Sequence, residues 1–101
     1  MAIDEVEVYV TPNGFGRASI VRRREGFFCI YTHIKLPPGY LPEHFDTTST
    51  KTWLDDDTPL SDLYRDKEPA SGIFGTVDDA RRHIRSLPQF ADAQLITQQR
   101  P

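Results

Sequence analysis

Cysteine occurs once in the 101 residues, at Cys29. A single thiol closes no intrachain disulfide and supplies no cysteine-based zinc knuckle, so the fold must rest on packing, and the chain suits a reducing compartment. Long apolar runs are missing too. The opening "MAIDEVEVYV" is acidic and alternating, not basic and then continuously apolar, which gives neither a secretory signal nor a membrane span. The expectation is a cytoplasmic protein with no membrane partner.

Phosphate loops and metal motifs are absent as well. "NGFGR" (13–17) reads as a hairpin turn and lacks the lysine and the following helix of a phosphate-binding loop. His33, His44 and His83 sit in three separate segments. "PEHFD" sets His44 between Glu43 and Asp46, and Asp55, Asp56 and Asp57 form an acidic run, but no pair has the spacing of a recognised metal site. Cys29 has only His33 as a local base, about 13 Å along the same strand at ~3.3 Å per residue, beyond hydrogen-bond reach. No catalytic residue, cofactor or metal is therefore expected, unless His44 and Asp46 converge with the 55–57 acids.

What remains is the composition of an ordinary globular chain, 38% hydrophobic and 27% charged, with eight prolines that imply irregular stretches. Its length fits one small domain, 1–101. In "DEVEVYVT" (4–11) valines alternate with Glu5, Glu7, Tyr9 and Thr11, the period of a half-buried strand. Asn13-Gly14 reverses the chain into a second strand, "RASIVRRR" (17–24), with Ala18 and Ile20 inward and Arg17, Ser19 and Arg23 outward. After the Glu25-Gly26 turn, "FFCIYTHIKL" (27–36) is apolar on both faces: Phe28, Ile30, Ile34 and Leu36 on one, Phe27, Cys29, Tyr31 and His33 on the other. That pattern places it inside an antiparallel meander, closed by Pro37-Pro38-Gly39.

Residues 37–71 make one long, partly irregular connection, within which "DTPLSDLYRD" (57–66) has a cap at Thr58, Pro59 in the first turn, and Leu60, Leu63 and Tyr64 at helical spacing. "IFG" (73–75) reads as a short strand. The run 76–88 then predicts a helix: Thr76 three residues before Asp79 is a start signal, and Val77, Ala80, Ile84 and Leu87 form one apolar stripe. Leu95–Thr97 supplies either a brief strand or a helical turn. The predicted fold is α+β: an antiparallel meander of three to four strands, a C-terminal amphipathic helix packed on one face, and a long loop carrying a short helix.

Charge is segregated. Residues 17–35 carry five cations against Glu25, whereas 43–68 carry eight acids against Lys51, Arg65 and Lys67. A basic hairpin together with the helix would present Arg17, Arg22, Arg23, Arg24, Arg82 and Arg85 to a partner or to phosphates. Tyr9, Phe27, Tyr31 and Trp53 make up a candidate aromatic interaction face, with Tyr40 and Phe45 also in the connection. The leading expectation is a non-enzymatic protein-interaction module, with a protein partner or self-association as a homodimer. Nucleic-acid binding through the basic hairpin and helix arginines is the alternative.

Overall fold

The computed structural model describes residues 3–35, 52–55 and 58–96. The Pro37-Pro38-Gly39 turn, Leu36, Tyr40, Glu43, His44, Phe45, Asp46, Lys51, Asp56, Asp57 and Thr97 lie outside the described residues.

Three strands form the meander: β1 (Glu5–Val10), β2 (Gly16–Arg22) and β3 (Phe28–Ile34). Gly14, at a φ of +81°, and Gly26, at +85°, turn the chain between them. Both lie in the left-handed region that glycine enters without steric cost. β4 (Ser71–Phe74) pairs with β3 and β5 (Gln94–Ile96) with β1, so the sheet is antiparallel in the order β4-β3-β2-β1-β5. Five strands therefore stand where three or four were expected. β4 and β5 are too short to show a period of two; they become strands because the meander offers each of them an open edge.

Two helices cross between these strands. α1 (Leu60–Leu63) is a single turn with Pro59 at its cap, one position earlier in the helix than the sequence suggested. α2 (Val77–Ser86) starts where expected: the Asp79 N–H donates to Thr76 Oγ1 at 3.1 Å, and Asp78 and Asp79 occupy the first turn. A 3-10 turn, Pro88–Phe90, follows.

α2 does not lie on the valine face. Its Ala80 and Ile84 pack with Phe90 and Ala93 on Tyr9, Ala18, Ile20 and Ile30, all of them buried. The β1–β2 ladder slips between Glu5 and Glu7. The extra residue, Val6, joins the helix-side core, while Val8 and Val10 alternate with Tyr9 onto the opposite face, where both are buried. Tyr9 can go under a helix because its hydroxyl is satisfied there. It donates to Glu7 Oε1 at 3.0 Å and accepts from Arg81 Nε at 3.0 Å.

The opposite face is closed by the connection. Val21, Cys29 and Tyr31 cluster there under Ile3 and Tyr64. Trp53 donates its backbone N–H to Gly14 O and its Nε1–H to Phe15 O, at 3.2 Å, fixing 52–55 over the first turn. The approach is close enough that a Cβ on Gly14 would come within 2.5 Å of Thr52 Cβ.

Candidate interaction surface

On this second face β2 sets Arg17 opposite His33 and Ser19 opposite Tyr31 in the ladder. Arg17 and Ser19 were expected to point to solvent; both are buried. Arg17 Nη2 donates to Glu5 Oε2 at 2.7 Å, with the two side chains 3% and 4% exposed. Tyr64, immediately after α1, donates its hydroxyl to the same carboxylate oxygen at 2.5 Å and shares a 2.5 Å hydrogen bond with Ser19 Oγ. Burial and the Glu5 carboxylate hold its phenol well above the usual range. Two buried atoms of the cluster, Glu5 Oε1 and His33 Nδ1, have no hydrogen-bond partner among the described residues.

Where this face meets the β2–β3 turn, a cavity of about 300 Å³ opens. Ile3, Val21, Tyr31 and Tyr64 form its apolar floor, and Arg22, Arg23, Arg24 and Glu25 its rim. Arg22 Nε is 3.6 Å from Asp4 Oδ2, an exposed and weak pairing. Arg23 donates to the Tyr31 hydroxyl at 3.1 Å. Arg24 is exposed and has no carboxylate partner among the described residues. A second groove, of about 370 Å³, lies on the other side of Arg23 and Glu25, lined by Phe27, Cys29, Pro69 and Ile73. Ile73 is 72% exposed and Phe27 44%.

The structure thus divides the residues singled out from the sequence. Arg22, Arg23 and Arg24 meet at the hairpin end. Arg17 is consumed inside the fold. Arg82, 3.4 Å from Asp79, and Arg85, which stacks 5.4 Å over Tyr9 and donates to Ala93 O, belong to the helix side. The aromatic set is divided too: Tyr9 lies beneath α2, Tyr31 on the second face, Phe27 at the exposed hairpin end, and Trp53 over the first turn beside His33 and Lys35.

The Glu5–Arg17–Tyr64 cluster escaped sequence reasoning, although one signal pointed to it. A strand apolar on both faces implies that its neighbour is also covered twice, so Arg17 and Ser19 had to find partners. Among the described residues no three His, Cys, Asp or Glu side chains converge to hold a metal, and no helix is long and apolar enough to cross a membrane. The chain has no significant match to a family model, a curated protein or a solved structure.

Proposed function

We propose that the protein is a non-enzymatic interaction module that docks an acidic segment bearing an apolar anchor at the hairpin end, in the cytoplasm. One observation carries this reading: three consecutive arginines rim an apolar-floored groove, and Arg24 among them has no carboxylate partner among the described residues. An arginine held beside an apolar floor pairs with a carboxylate in partial isolation from water, where the contact gains strength and geometry. The apolar floor supplies the burial that a charged rim alone lacks. Nucleic acid fits less well, because Arg82 and Arg85 stand with the helix that covers the other face and do not extend the hairpin into one basic track.

The test is an NMR titration with the peptide acetyl-Leu-Asp-Glu-Phe-amide, against its Asn/Gln counterpart and a short DNA duplex. Shifts at Ile3, Val21, Tyr31 and Tyr64 with the acidic peptide alone, lost in Arg24→Glu and kept in Arg82→Glu, are the expected outcome. Equal shifts with the amide peptide, or none, remove the reading. Duplex-induced shifts joining residues 22–24 to 81–85 replace it with nucleic-acid binding. Shifts that follow the protein's own concentration make a second copy the occupant.

A further inference from the structure

The groove and the buried polar cluster share one side chain. Tyr64 lines the groove, stands edge-on to Tyr31 with ring centroids 4.9 Å apart, and sends its hydroxyl to Glu5 and Ser19. The segment carrying it, 58–67, has one helical turn and no fully buried residue. The hold on the sheet that the described residues show is the Tyr64 ring, packed on Val21, Cys29 and Tyr31, and a few polar ties, the mark of a low-stability element.

The second tie is His33. Its Nε2 meets Leu63 O at 2.9 Å, and a carbonyl only accepts, so the neutral ring carries its proton on Nε2. Nδ1 is then a bare acceptor, buried and without a partner among the described residues. Protonation would place a donor there with nothing to receive it. It would also add a cation to a crowded site: Arg17 on β2 and Lys67 on the segment face the ring, against Glu5 on β1, which Arg17 already engages. On the remaining sides the ring meets the edge of Tyr64 from the segment itself at 5.5 Å and Trp53 at 5.7 Å, with the Lys35 ammonium 4.5 Å from the indole centroid.

We propose that residues 58–67 are a strap released by protonation of His33, and that its release withdraws the Tyr64 wall of the arginine-rimmed groove. Only the consequence for a bound segment rests on the function proposed above; the strap can be followed without any ligand. Burial first holds the docked imidazole below its ordinary value of 6.5; the Leu63 hydrogen bond, which an imidazolium would strengthen, opposes it next, and Arg17 and Lys67 add to the lowering against Glu5, so the net direction is down. The docked state therefore binds fewer protons than the released one. Docking is at full strength above 6.5 and weakens as the pH falls towards the lowered value, by at most about tenfold per pH unit for one proton.

Amide hydrogen exchange of the full chain, corrected for its intrinsic pH dependence, tests this between about pH 7.5 and about pH 5.5, where carboxylates stay ionised. Exchange within 60–67 rises several-fold towards the acid end, while Ile20 and Ile30 remain protected. The rise shares its midpoint with the His33 ring resonances and is absent in His33→Asn, which does not titrate. Unchanged strap protection, a different midpoint, or the same rise in His33→Asn overturns the proposal. If His33→Asn does not fold, the coincidence of midpoints in the wild type still decides. The peptide acetyl-Leu-Asp-Glu-Phe-amide should bind more weakly at the acid end only when His33 is present. Its failure to bind at any pH removes the groove's function and leaves the exchange result standing.

Discussion

Removing one member of the Arg17–Glu5 pair strands the other charge inside the sheet's second face. Arg17→Met is expected to destabilise the protein by about 3–5 kcal/mol in urea unfolding, and Arg17→Met combined with Glu5→Gln to recover part of that loss. Arg82 is the opposite case. It is 79% exposed with only an i,i+3 acid beside it, so Arg82→Ala should shift stability by less than about 0.5 kcal/mol and leave peptide binding unchanged. Sequence alternation treats these two arginines alike. What separates them is whether another segment lands on the residue's face, and the separation of 45 positions from Ser19 to Tyr64 is a distance no local pattern reaches.

Among the elements, α2 was the most legible because its signals are local. Thr76, Asp78, Asp79 and the apolar stripe agree on where it begins and which side it buries. Thr76→Ala should cost about 1 kcal/mol, visible as faster exchange in the first helical turn and a lower urea midpoint. The turns at Gly14 and Gly26 were legible for the same reason. Which sheet face α2 covers was not. The slip at Val6 depends on the partner strand, and Tyr9 is admitted beneath the helix by Glu7 and Arg81, the latter 72 residues away in sequence. β4 and β5 were legible only as brief runs at 73–75 and 95–97, the second also readable as a helical turn, because their strand character depends on pairing with the meander's edges. Of the proposed surface, the arginine run was plain in the sequence; its floor was not, because Ile3 precedes the first strand and Tyr64 follows α1, far apart in sequence.

For the whole molecule, two acid-sensitive contacts lie on opposite faces of one sheet. The hydrogen bonds from Arg81 hold the Glu7 carboxyl below its ordinary value of 4.5. That contact therefore contributes fully above 4.5 and is lost as the pH falls through the lowered value. Urea midpoints measured against pH should fall in two stages, the first beginning below 6.5 and absent in His33→Asn, the second below 4.5 and flattened in Glu7→Gln. The strand order carries a further consequence. β4 and β5 come from the C-terminal half and bracket the N-terminal meander on both edges, and the core takes Tyr9, Ala18, Ile20 and Ile30 from one half and Ala80, Ile84, Phe90 and Ala93 from the other. Either half alone has a face or an edge with nothing to complete it. A chain broken anywhere between Lys35 and Thr52 is thus two incomplete polypeptides with a large mutual interface. Expressed separately they should be unstructured by circular dichroism, and mixed they should regain the sheet, which would make this fold a split reporter whose reassembly registers the meeting of whatever is fused to its parts.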